Sequence, residues 1–302
     1  MMNLTILGCH SATPRENNHT SSQLLKIKEN LFLIDCGEGT QIQLRKAKIN
    51  LSRIKHIFIS HLHGDHFYGL IGLISTLRLL GRENELNIYG PKGIKEVVSL
   101  QLKLAKSWTD YPLFFHELVS SKSETIYKDD FLTVKTIPLD HRVYTNGFLF
   151  TTKSIQRKVN LNAIKEFKLE HYHYRQIQEG KSIKLNDGTV LNNEDISLNP
   201  DPPKKYAYCS DTAFNPNLVP LIKGVDLLYH ESTFLEKHSE LAKITKHSTA
   251  LQAAKIAKDA CVKKLMLGHY SNRYNDKEHF YKEATKIFKS VILSEDFKSF
   301  SI

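Results

Sequence analysis

This sequence predicts a layered α/β protein. Two features carry that expectation. Short apolar runs of strand length alternate with turn residues and with longer segments of helical character. Several of the runs end directly in histidine or aspartate, and strand ends are where layered α/β folds collect the side chains of a site. At 302 residues the chain can bury a large core. Its 41% apolar and 25% charged residues are the balance of a globular protein rather than a disordered one.

Taken in order, residues 3–8 read as a first strand, and residues 9–21, polar and holding Pro14, as a loop. Residues 22–27 and 31–35 form a hairpin around Lys28-Glu29-Asn30. Asp35-Cys36-Gly37-Glu38-Gly39-Thr40 closes it and opens a helix to about residue 48. A buried strand over 54–59 leads to an apolar helix over 67–80, and a strand over 86–89 to a helix ending near 106. Residues 113–118 and 131–137 alternate like strands. Later strands are expected at 205–209, 226–230 and 263–267. Ser248 or Thr249 caps a helix over 250–260, and residues 276–288 form the last helix.

Residues 151–203 differ in character. They are polar, hold few core-like runs and end in Asn199-Pro200-Asp201-Pro202-Pro203. From Lys153 to Lys184, eight Lys or Arg outweigh three Glu, and His171-Tyr172-His173-Tyr174-Arg175 lies among them. Basic residues mixed with aromatics suit phosphate contact and base stacking. A solvated excursion or a dimer contact would have the same composition. The expectation is an insertion within a single domain of residues 1–302. The net charge of +10 favours a polyanionic partner without requiring one. Cys9, Cys36, Cys209 and Cys261, widely spaced, read as small buried residues in a reducing compartment. No secretory signal precedes them, and the apolar stretch 67–80, broken by Arg78, is too short for a bilayer. A cytoplasmic protein without membrane contact is expected.

The chemistry concentrates in Ser60-His61-Leu62-His63-Gly64-Asp65-His66, between a strand and a helix. Imidazole nitrogen and carboxylate oxygen are ligands for zinc and related ions. Singly, each histidine would be a hydrogen-bonded structural residue. Four such ligands in six residues exceed what one tetrahedral ion takes from one loop, so two ions side by side are expected, completed from elsewhere. His141, Asp211 and His269 stand at further strand ends. A two-metal site needs a bridging carboxylate, and Asp211 is placed for it. Asp35, beside Gly37, would either hold a ligand histidine from behind or cap the next helix.

His-x-His-x-Asp-His after a strand resembles the signature of the metallo-β-lactamase superfamily, which implies a four-layer αββα sandwich with a two-metal site. Within it, Phe32 to Gln41, His230-Glu231-Ser232-Thr233, His247-Ser248-Thr249 and His269-Tyr270-Ser271 with Arg273-Tyr274 resemble segments of the ribonuclease Z family. That resemblance implies a tRNA 3′-processing endonuclease acting on precursor tRNA, with two zinc ions or another divalent pair such as manganese. It implies that His61, His63 and His141 hold one ion, that Asp65, His66 and His269 hold the other, and that Asp211 bridges. Asp65 becomes the candidate general base and His247, charged by Glu231, the candidate general acid. Arg273 would contact a phosphate or close a salt bridge. Lys153 and Arg175 would contact RNA from an arm that grips the tRNA body, and a homodimer would form. Two departures stand out: Asn17 replaces an arginine of the family's early loop, and 169–173 lack a Gly-Pro arm tip. The rival readings are a small-molecule phosphodiesterase or lactone or thioester hydrolase of the same fold, and a silent RNA-binding scaffold.

Overall fold

Strand alternation sorts the first sheet into two faces. In the computed structural model, which describes residues 2–153 and 156–302, seven strands pair in the order Ser299–Ser301, Met2–Gly8, Ser22–Ile27, Asn30–Ile34, Ile54–Phe58, Leu86–Pro91 and Leu113–Leu118. The first pairings are antiparallel and the last three parallel. Leu31, Leu33 and Ile57 point to one face, into a core closed by helices. Phe32 and Phe58 point to the other and meet Phe148 and Phe150 of the second sheet, the Phe58 ring lying 5.4 Å from each. Side chains of period two therefore serve two cores at once.

That second sheet also has seven strands, in the order Val291–Leu293, Leu265–Gly268, Leu227–Glu231, Lys205–Cys209, Asn146–Thr152, Leu132–Pro138 and Thr125–Lys128. Its first four pair in parallel. Helices cover the outer faces. Gly69–Leu79 buries Leu70, Leu73, Ile74 and Leu77 at helical spacing, and Ile94–Leu104 buries Ile94, Val98 and Leu102. On the other side Ala250–Asp259, started by a capping box of Thr249 and Gln252, packs with Glu278–Ala284 and the strands Leu227–Glu231 and Leu265–Gly268. The result is the expected αββα layering. One contact sets how closely the first helix docks: the Gly69 N–H donates to the Cys36 carbonyl at 2.9 Å, and a Cβ on Gly69 would lie 2.0 Å from the Gly37 carbonyl oxygen. Gly69→Ala is expected to cost about 1–3 kcal/mol of stability through overpacking, read as a lower midpoint in urea unfolding.

Residues 2–126, 134–150 and 205–302 make one compact unit, and Tyr127–Thr133 with Thr151–Lys204 a second. The second unit is better folded than its composition suggests. Helices Leu161–Glu166, His171–Gln178 and Asn193–Ile196 and two short strand pairs surround Ala163, Leu169, Ile177, Ile183, Leu191 and Ile196. His173 turns inward, while Tyr172 is exposed.

Elsewhere the structure departs from expectation in a few places. The motif helix starts early, at Gly64, and breaks at Tyr68 into Gly64–Phe67 and Gly69–Leu79. The last helix is shorter, Glu278–Ala284. Strand Asn146–Thr152 and helix Ser239–Thr245 were not anticipated. Cys261 is exposed rather than buried, because it follows a helix end in left-handed backbone; Cys9, Cys36 and Cys209 are buried, and all four are free thiols. Among the described residues no helix is long and apolar enough to cross a membrane.

Candidate metal centre

The turn after Ile54–Phe58 brings its histidines to a common point because the chain reverses into a helix within the motif. His63 is the N-cap of Gly64–Phe67. A Cβ on Gly64 would sit 2.3 Å from the Tyr68 ring, so the turn needs glycine there. The parallel strands of the second sheet end at the same place and deliver Asp211, Glu231 and His269, while the turn after Leu132–Pro138 delivers His141.

Seven predicted ligands converge. His61, His63, His141 and Asp211 each place a ligand atom within 4.8 Å of the others, and so do Asp65, His66 and His269. His61 Nε2 and His141 Nε2 lie 3.0 and 3.2 Å from His63 Nδ1. Asp211 stands between the clusters. Its Oδ2 is 3.4 Å from His61 Nε2 and 3.8 Å from His141 Nε2, and its Oδ1 is 3.3 Å from His66 Nε2 and 3.2 Å from His269 Nε2. Asp65 Oδ2 is 3.5 and 3.4 Å from the same two nitrogens. Ligands of a tetrahedral zinc, at about 2.0–2.1 Å from the ion, stand roughly 3.3 Å apart. The observed spacings bracket that value, so the donor set fits such ions.

The outer ring nitrogens show which way the lone pairs face. His141 Nδ1 donates to the Lys246 carbonyl at 2.8 Å, and His66 Nδ1 donates to Asp35 Oδ2 at 2.7 Å. Both partners only accept, so in the neutral rings Nε2 keeps its lone pair toward the centre. His269 Nδ1 meets Thr233 Oγ1 at 2.9 Å, and His61 Nδ1 meets Ser60 Oγ at 3.0 Å. Asp35 also accepts from the Ser60 N–H at 2.7 Å, the Ser60 hydroxyl at 2.9 Å and the Tyr208 hydroxyl at 2.6 Å. It does not cap the helix Thr40–Lys46, whose N-cap is Gly39. Replacing Asp35 with Ala is expected to weaken metal affinity about 10–100-fold, measured by competition with a chromogenic chelator.

Burial and the neighbouring charges together set the charge states. It pushes His61 below the usual imidazole range, and His63 and His141 down to about 4. Burial acts on His66 too, but Asp211, Asp65 and Asp35 outweigh it and raise His66 well above that range. Burial would raise Asp65 and Asp211, yet the surrounding imidazoles hold both below the usual carboxylate range. Asp35, Asp211 and His269 all have left-handed backbone, with φ of 54, 59 and 58°. Such strain at non-glycine residues gathers at functional sites.

Beside the clusters, His247 Nδ1 lies 2.7 Å from Glu231 Oε1. Glu231 is fully buried and further held by the Thr212 N–H at 3.0 Å and by the Thr233 N–H and hydroxyl at 3.0 and 2.6 Å. Burial lowers His247, but Glu231 beside it prevails and raises it to about 9. A ring nitrogen of His247 falls within 4.8 Å of Asp211 and His269 ligand atoms.

Known proteins are similar to this chain in sequence along nearly its whole length. A ribonuclease Z of Bacteroides fragilis is 45% identical over 293 residues, covering 97% of this chain and 96% of that protein. The chain belongs to the ribonuclease Z family. As a ribonuclease Z it is a metal-dependent hydrolase. A family model described as Anti-Pycsar protein Apyc1 matches residues 2–288. The structure of human tRNase Z, short form, superposes with a TM-score of 0.73 at 28% identity, covering 99% of both chains. The metallo-β-lactamase fold protein YhfI from Bacillus subtilis superposes with a TM-score of 0.70 at 19% identity, covering 99% of this chain and 98% of that one, and shows the shared fold.

Not every predicted site residue joins the ribonuclease Z metal centre. Arg273 is exposed and closes no salt bridge among the described residues. Arg175 pairs with Glu179 at 3.0 Å, and the Lys153 ammonium donates to the Asp129 carbonyl, both within the second unit. Four supporting residues went unassigned in the sequence. Ser60 directly precedes the motif and Thr233 closes the His230–Thr233 segment, so position alone could have flagged them. Thr212, next to Asp211, was similarly visible; Tyr208, one aromatic in a buried strand, was not.

Proposed function

We propose that this protein is a zinc-dependent endoribonuclease that removes the 3′ trailer from precursor tRNA and leaves a 3′-hydroxyl on the tRNA. The observation that supports it most is Asp211, with one oxygen toward each of two ligand clusters, in a chain 45% identical to a ribonuclease Z. His61, His63 and His141 would hold one ion and Asp65, His66 and His269 the other, with Asp211 shared; manganese would suit the same donors. Bound there, the pair supplies Lewis acidity that neutralises phosphate charge in an in-line displacement and makes water a stronger acid.

The chain's own residues move the protons. Asp65, at the rim of its cluster and anchored by the Ala12 N–H at 2.9 Å, accepts the proton of the attacking water. His247, kept charged by Glu231, gives its proton to the departing 3′ oxygen. Thr212 and Thr233 fix Glu231 so that the imidazolium stays in place. The fork of Arg273, exposed and in no ion pair among the described residues, suits a phosphate oxygen pair. The second unit, with exposed Tyr172 and Arg175, is the surface for the tRNA body. Exposed Leu79, Leu104 and Trp108 offer apolar area for a second copy of the chain. Four free thiols agree with a reducing cytoplasm.

The test is cleavage of a 5′-labelled tRNA carrying a 3′ trailer, with the cut mapped to the nucleotide. A single cut at the tRNA 3′ end, weakening steeply with added salt, is expected. Intact RNA alongside hydrolysis of a cyclic nucleotide, lactone or thioester would establish the small-molecule reading instead.

A further inference from the structure

The loops that carry His141 and Asp211 have a second face. On it lies a cleft of about 530 Å³ whose wall includes Asp140, Asn215 and Asn217, just beside those two ligands in sequence. The cleft is tied to the metal centre. The Asp140 N–H donates to Thr212 Oγ1 at 3.1 Å, the Ala213 N–H donates to the Asp140 carbonyl at 2.8 Å, and Lys246, preceding His247, reaches Asp140 Oδ1 at 2.8 Å.

Three further side chains give the cleft a chemical character. Tyr144 lines it, the residue 36% exposed and its hydroxyl donating to the Ser120 carbonyl at 2.8 Å. Asn146, also lining it, is 1% exposed, and its amide meets no side chain but that of Tyr144 among the described residues. A buried amide with so little of its hydrogen-bonding capacity met is rare and costly. Lys122 lines the mouth, exposed and in no ion pair among the described residues.

We propose that this cleft is a nucleobase subsite, taking the base of a nucleotide that flanks the scissile phosphate. The proposal rests on the RNA-cleaving reading above. An exposed aromatic face stacks any base. An amide with donor and acceptor side by side matches the paired donor and acceptor of a base edge. Lys122 faces the backbone phosphate at the mouth. The tyrosine hydroxyl meets the Ser120 carbonyl and the Asn146 amide, so a side-chain rotation of Tyr144 frees Asn146 for the incoming base. The base comes either from the first trailer nucleotide or from the last nucleotide before the cut.

The experiment measures kcat/KM for wild type and Tyr144→Ala on 3′-extended tRNA with all bases present, or abasic at either of those two positions. Tyr144→Ala is expected to lose about 5–30-fold on the intact RNA, in the range of one lost stacking contact. Wild type is expected to lose as much on one abasic RNA, on which Tyr144→Ala loses nothing further; that position names the base. Tyr144→Phe should recover most of the loss. Hydrolysis of bis(p-nitrophenyl) phosphate, which has no nucleobase, should be unchanged in Tyr144→Ala. Equal rates on intact RNA, losses that multiply at both positions, or a parallel loss on the small diester would each overturn the subsite. Wild type that hydrolyses the diester and cuts no RNA would overturn the ribonuclease reading, and the subsite with it.

Discussion

Asp211→Ala is expected to reduce RNA cleavage about 10³-fold or more, because several kcal/mol of transition-state stabilisation depend on the metal pair. The reason is geometric. Every other proposed ligand belongs to one of the two clusters, whereas Asp211 turns Oδ2 toward His61 and His141 and Oδ1 toward His66 and His269. Metal analysis of the purified variant should therefore show less than the wild-type complement. Wild-type metal content and activity in Asp211→Ala would remove the shared carboxylate from the account.

His247→Ala should separate proton transfer from metal binding. A positioned acid contributes about 10²–10⁴-fold, so kcat should fall by that order while metal content stays at the wild-type level. The distinction matters because His247 approaches Asp211 and His269 closely enough to be taken for a ligand itself. Its other contact argues for the acid: Glu231, fully buried and held by Thr212 and Thr233, spends one oxygen on His247 Nδ1. Metal lost together with activity would make His247 a ligand. Activity retained would remove it from the chemistry.

How much of this was legible in the sequence depended on how local each signal is. The cluster from His61 to His66 is contiguous, and a strand and a helix flank it, so residue type and spacing were enough. His141, Asp211 and His269 are far apart in sequence; only their positions at strand ends, with the family resemblance, connected them. The orienting partners were harder to see. The Lys246 carbonyl that fixes His141 belongs to the backbone and has no residue signature. Tyr208 reaches Asp35 across the two sheets, a contact that no local pattern encodes. In the second unit the core residues occur singly among polar ones, from Ala163 to Ile196, so no apolar period emerged although they pack together. Strand Asn146–Thr152 escaped because it follows the site-bearing turn directly and opens on Asn146-Gly147, which read as turn residues. The fold was thus visible where burial makes a run or an alternation, and invisible where it is assembled one residue at a time.

The most direct measurement is anomalous diffraction at the zinc edge from crystals of the metal-loaded protein. Two peaks are predicted in each chain, one among His61, His63 and His141 and the other among Asp65, His66 and His269, with Asp211 between them. A single peak, or peaks away from these side chains, would contradict the shared two-metal centre.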